Sequence, residues 1–114
     1  MDGKYSLIAG HIDGNETVFA AMIREAFEEG KIKINKQDLE PATVIHRKST
    51  DQEYIDFFFV ARKWKGEPTI GEPNKCDDLR WFPLNALPDN LLPHIKQALD
   101  NYNNKVPFSV SGWN

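Results

Sequence analysis

The chain has 114 residues, 40% of them hydrophobic, with three Trp, seven Phe and three Tyr; that is enough apolar material for one small domain spanning residues 1–114 and a core of its own. A net charge of −3 leaves no basic footprint for nucleic acid, whether read by sequence or by backbone charge. A single cysteine, Cys76, excludes an internal disulfide and a multi-cysteine metal cage and suits a reducing cytoplasm, while no apolar run approaches the ~20 residues that span a bilayer.

The first predicted element is a helix from Thr17 to Glu29. Val18, Ala21, Met22 and Ala26 form one stripe, which Phe19 and Ile23 widen. Asn15 or Thr17 suits its start, and Gly30 is the natural terminator. Ala42 to His46 reads as a short strand. Tyr54 to Arg62, YIDFFFVAR, alternates Ile55, Phe57 and Phe59 against Tyr54, Asp56 and Phe58, with both faces largely apolar, as in a central strand covered on both sides. Leu79 to Phe82 is a further short strand. Leu91 to Tyr102 is a second helix that places Leu91, Ile95, Ala98, Leu99 and Tyr102 on one side, with Pro93 tolerated in its first turn. Helix, strands and helix in this order predict a layered α/β or α+β domain.

The chemistry concentrates in GHIDGNETVFAAMIREAFEEGKI, residues 10–32. At helical spacing Glu25, Glu28 and Glu29 are i, i+3 and i+4 and project to one side, and Arg24 and Glu28 are themselves i, i+4. Acidic helix faces are most often solvated and salt-bridged. Here, however, a loop holding Gly10 and Gly14 leads into the acidic helix, so that backbone carbonyls and carboxylates meet. That is an all-oxygen donor set of the kind hard divalent cations take, usually with waters left over for a substrate phosphate.

The stretch resembles the Nudix box, G-x5-E-x7-R-E-U-x-E-E-x-G-U with U a bulky apolar residue. Gly10, Glu16, Arg24, Glu25, Glu28, Glu29 and Ile32 match in register. Ala26 is a small stand-in at the first U, and Lys31 stands where the box has its last Gly, with Gly30 one place early. The early glycine is expected to end the helix one residue sooner. Downstream, WKGEPTIGEPNKCDDLRWFPLNALPDN resembles the corresponding region of MutT-like Nudix proteins.

The resemblance implies an α+β Nudix fold, a mixed sheet between helices, and a Mg²⁺-dependent hydrolase, with Mn²⁺ as a substitute metal. It cleaves the diphosphate linkage of a nucleoside diphosphate derivative. Carried over residue by residue, it makes Glu25, Glu28 and Glu29 metal ligands with the Ala9 carbonyl as an extra oxygen. Arg24 orients a box carboxylate, Gly10 and Glu16 brace the motif, and the general base is Glu28 or Glu72. Glu67, Asp77 and Asp78 compete with Glu72. Asn90 falls near where such proteins contact the nucleobase, although a turn or a helix cap suits it better.

The region His46-Arg47-Lys48-Ser49 lacks the proline that marks ADP-ribose hydrolases in this family, and the signatures of the NADH- and coenzyme-A-directed branches are absent. A nucleoside triphosphate, oxidised or not, is therefore the expected substrate. The competing expectation is a Nudix-like nucleotide-binding module without catalysis. Family domains usually carry two strands before the box, and only Met1 to Ile8 precede Gly10 here. The sheet edge this leaves predicts a homodimer.

Overall fold

A computed structural model describes residues 5–10, 15–66, 79–84, 87 and 91–113, with the side chains of Glu29, Leu79 and Arg80 outside the description. Its elements are β1 (Ser6–Gly10), α1 (Val18–Gly30), β2 (Leu39–Lys48), β3 (Glu53–Ala61), β4 (Leu79–Pro83), α2 (Pro93–Asn103) and β5 (Phe108–Ser111). One five-stranded sheet runs in the order β4-β1-β3-β2-β5. Among the described strands only the β2–β5 pair is parallel, so the sheet is mixed.

The helices take opposite faces. Ala21, Met22 and Ala26 of α1 share a core with Ile8, Phe59, Ala61 and Trp81. Ile95 and Ala98 of α2 share another with Leu7, Ala9, Ile45, Phe58, Val60 and Phe82. The alternation of β3 explains the arrangement, since successive side chains of a strand point to opposite faces. Phe57 and Phe59 go to the α1 side, Phe58 and Val60 to the α2 side. The expected central strand is therefore present, and the fold is the expected α+β sandwich.

Two strands go beyond the sequence reading. In β1 all five residues are buried, and the strand lies in the interior, paired with β3 and β4. A five-residue strand, SLIAG, has too little periodicity to declare itself. β5 carries only two apolar residues, and side chains rather than hydrophobic pattern hold it. The Thr43 hydroxyl donates to the Val106 carbonyl at 2.9 Å, and Asn101 Nδ2 donates to Ser109 Oγ at 2.8 Å. Gln97 Nε2 donates to the same Ser109 oxygen at 2.7 Å. Gly112, at φ 80°, then turns the chain where a Cβ would lie 2.2 Å from the Lys48 carbonyl oxygen. Trp113 Nε1 returns over the sheet to donate to the His46 carbonyl at 3.0 Å.

β2 is longer than the predicted Ala42–His46. It accommodates Pro41 because the ladder to β3 is irregular between Pro41 and Thr43, and because β5 begins its pairing only at Val44. Near the far end of the β2–β3 hairpin, Arg47 Nε donates to Asp56 Oδ2 at 2.7 Å. The Tyr54 ring lies 4.3 Å from the centre of that guanidinium.

α1 begins where Thr17 caps it, its hydroxyl accepting from the Ala20 N–H at 3.1 Å. Its end corrects the sequence reading. Gly30 remains within the helix, and Lys31 takes the left-handed conformation at φ 57°, ψ 33°. The Lys31 N–H donates to the Phe27 carbonyl at 2.9 Å and the Ile32 N–H to the Ala26 carbonyl at 3.0 Å. Together they close the helix around a left-handed residue, with Ile32 packing into the same core as Ala26. The position of the cap thus follows from burying Ile32, which overrides the preference for glycine one residue earlier.

Candidate active site

β1 leads to Gly10, which pairs with Phe57 at the edge of the described strand, and Glu16 stands just before the α1 cap. Arg24, two turns into α1, gathers the acids around it. Its Nε lies 3.0 Å and its Nη2 2.5 Å from Glu16 Oε2. On the other side Nη1 donates to Glu28 Oε1 at 3.0 Å. Nη2 is also 3.7 Å from Glu25 Oε2. One guanidinium fork therefore serves three carboxylates, a task its planar geometry suits and an ammonium does not.

The acids differ in environment. Glu25 is 3% exposed, lying between Met22 and Ala26 along the buried stripe, whereas the Glu28 side chain is 58% exposed. A carboxylate taken out of water needs compensation. The Arg24 hydrogen bond holds the Glu16 carboxyl below its usual range, and the same contact, more than that to Glu28, raises the Arg24 pKa further above neutrality.

Glu28 and Glu29 fall in the last turn of α1, where the helix dipole disfavours negative charge, and that turn contains no basic residue. The helix keeps its acids at the end where they cost stability. This is the local inconsistency expected of a functional site.

Ala9 lies in β1, one residue before the strand ends, and is 7% exposed. The backbone of Glu29 is in α1, but its side chain is outside the description, as are Glu72, Asn90, Glu67, Asp77 and Asp78. The structure thus brings Glu16, Arg24, Glu25 and Glu28 together. Among the described residues no group of three or more His, Cys, Asp or Glu is assembled as a metal cage. The donor chemistry nevertheless fits a hard divalent cation. Glu25 and Glu28 offer carboxylate oxygens from one helix, one from the buried face and one from solvent.

The Glu16–Arg24 contact has no counterpart in helical spacing, because Glu16 precedes the helix. The i, i+4 pattern pointed only to Glu28.

The profile of the NUDIX domain family matches residues 1–102. Among curated proteins, the mouse 8-oxo-dGDP phosphatase NUDT18 is 30% identical over 94 residues, and the human 8-oxo-dGDP phosphatase NUDT18 is 28% identical over 94 residues. In each case the match covers 81% of this chain and 28% of the relative. The chain therefore corresponds to little more than a quarter of those proteins. No solved structure matches.

Proposed function

The chain belongs to the Nudix family of hydrolases, and from that premise we propose that it hydrolyses the phosphoanhydride linkage of a nucleotide, with a divalent cation, Mg²⁺ before Mn²⁺, as cofactor. The substrate class is an oxidised or unmodified nucleoside triphosphate, released as monophosphate and pyrophosphate. A second candidate is an oxidised purine nucleoside diphosphate, a reading supported by the name 8-oxo-dGDP phosphatase that the NUDT18 relatives carry. The observation that carries this reading is the acidic end of α1. One carboxylate is buried, two stand against the helix dipole, and a single shared arginine holds the described members together.

Glu25, Glu28, Glu29 and the Ala9 carbonyl would hold the cation. When bound, it would neutralise the bridging phosphates and acidify the attacking water. Arg24 holds Glu28 from one side while anchored on Glu16 from the other, and so fixes where the Glu28 oxygens point. Glu16 belongs to this brace. Glu28, well exposed, or Glu72 accepts the proton of the attacking water. Asn90 contributes to the base-binding side. The protein works in the cytoplasm, which a lone cysteine suits, and as a homodimer.

The test is a panel of nucleoside di- and triphosphates, oxidised and unmodified, assayed with and without Mg²⁺ for released monophosphate, phosphate and pyrophosphate. Metal-dependent turnover is expected, and Glu29→Gln should reduce it by about a hundredfold or more with the fold intact. Turnover of Glu29→Gln within a few-fold of the parent removes Glu29 from the metal shell. A chain that binds nucleotides without cleaving any is a binding module.

A further inference from the structure

The outer edge of the sheet at β5 is built for a partner strand. The Val44 N–H donates to the Pro107 carbonyl at 3.0 Å. Backbone groups alternate along a strand, so those of Ser109 and Ser111 also face β2, and those of Phe108 and Val110 face outward. The Val110 carbonyl accepts from Gln97 Nε2 at 3.0 Å. The outward N–H and C=O of Phe108 and the N–H of Val110 have no such cover among the described contacts. Edge strands are normally protected by lysine, by proline at the outward positions or by a strong bulge. Phe108-Ser109-Val110-Ser111 has no charge, no proline and no bulge in its pairing to β2.

The same edge is apolar on the α1 side. Phe108 and Val110 are 54% and 53% exposed, and Ile55 and Trp113 stand exposed on the strands and turn beside them. Together these put on the order of 400 Å² of mostly apolar surface in one region, about half of what each partner contributes to a standard interface. The face continues inward to an apolar groove of about 230 Å³ lined by Val18, Phe19, Val44, Phe57 and Pro107.

We propose that β5 is the dimer strand: two copies of this chain join antiparallel through their β5 edges, with the two-fold axis passing between Phe108 and its symmetry mate. The occupant is a second copy because this register is self-complementary. Across a dyad at Phe108 each copy offers one N–H and one C=O to the same pair of groups on the other, without disturbing the Gln97–Val110 bond. The net charge of −3 gives little repulsion between copies. The modest area makes the dimer one of roughly micromolar dissociation constant. The proposal locates the homodimer interface and is independent of whether the acidic helix is catalytic.

Sedimentation of the whole chain from about 1 to 500 μM should pass from monomer to dimer. Phe108→Lys and Phe108→Pro leave the backbone groups of β5 that pair with β2 in place. They should keep the thermal midpoint and weaken association at least about tenfold. With Cys76→Ser as background, Phe108→Cys should cross-link to its mate under oxidation. The Cα atoms of such a directly opposed pair lie ~5.5 Å apart, within disulfide reach. Val110→Cys should not cross-link, since the register sets its two copies about 14 Å apart along the strands. The proposal is overturned by a parent chain that stays monomeric through the range, by a Phe108→Pro variant that dimerises as the parent does, or by Val110→Cys cross-linking as readily as Phe108→Cys.

Discussion

Arg24 and Glu16, eight residues apart and on different local structures, meet with three N···O separations of 2.5, 3.0 and 3.2 Å. The contact ties the segment ahead of α1 to the middle of that helix. Because the same guanidinium also reaches Glu28, it fixes one acid by leaning on another.

Arg24→Lys should therefore be far from conservative. A point charge cannot hold Glu16 bidentately and still reach Glu28 in a defined direction. In steady-state assays at saturating Mg²⁺ the expected loss in kcat is on the order of ten- to a hundredfold, with circular dichroism unchanged. A lysine variant of full activity would mean that the position of Glu28 does not depend on the fork.

The acid side of the stability profile should carry the signature of Glu16. Its carboxyl ionises more readily in the folded chain than its ordinary value of 4.5 because of the Arg24 hydrogen bond. A depressed folded-state pKa stabilises the fold fully above the unfolded value, and that stabilisation is lost as pH falls below it through the folded one. Thermal midpoints measured from pH 7 to about pH 3 should fall less steeply for Glu16→Gln than for the parent below about pH 4.5. Parallel curves would show that the ion pair contributes nothing to this window.

Lys31→Gly should stabilise the protein. Lys31 caps α1 at positive φ, which costs a side-chain-bearing residue roughly 1 kcal/mol. The gain is offset in part by the greater freedom of glycine in the unfolded chain. A rise in thermal midpoint of up to about 4 °C is expected. A fall would indicate that the Lys31 ammonium, 5.5 Å from the Phe27 ring centre, is worth more than the strain.

The proton acceptor can be assigned by comparing two acids, Glu72 and Glu67. Removing a general base typically costs 10²–10⁴-fold in rate, and removing a solvated acid almost nothing. Glu72→Gln should lower turnover at saturating Mg²⁺ while Glu67→Gln does not. Equal harmlessness of both substitutions leaves the role to Glu28.

What was legible in the sequence followed physical periodicity. Both helices and the central strand announce themselves because each buries a regular stripe, and the box acids are visible because helical spacing brings them to one side. β1 and β5 were not legible. One is too short for its period to show, and the other is held by Asn101, Gln97 and Thr43, contacts between residues distant in sequence. The Glu16–Arg24 bond has no local spacing rule. The preference for glycine sets the end of α1 one residue early, because the place of the Lys31 cap is decided by the burial of Ile32, a tertiary effect.

The composition of β3 also bears on how the sheet finds its pairing. A strand with one apolar face cannot slip by a single residue without exposing that face. β3 has rings on both faces, Phe57 and Phe59 on one and Phe58 with Val60 on the other, so a slipped hairpin would exchange like for like. Asp56 removes that degeneracy. In register it lies 5% exposed against Arg47; one residue out of register its carboxylate would point to the opposite face of the sheet, away from any guanidinium of β2. The Arg47–Asp56 pair thus serves as a proofreading mark for a strand whose hydrophobic pattern reads almost the same from either face.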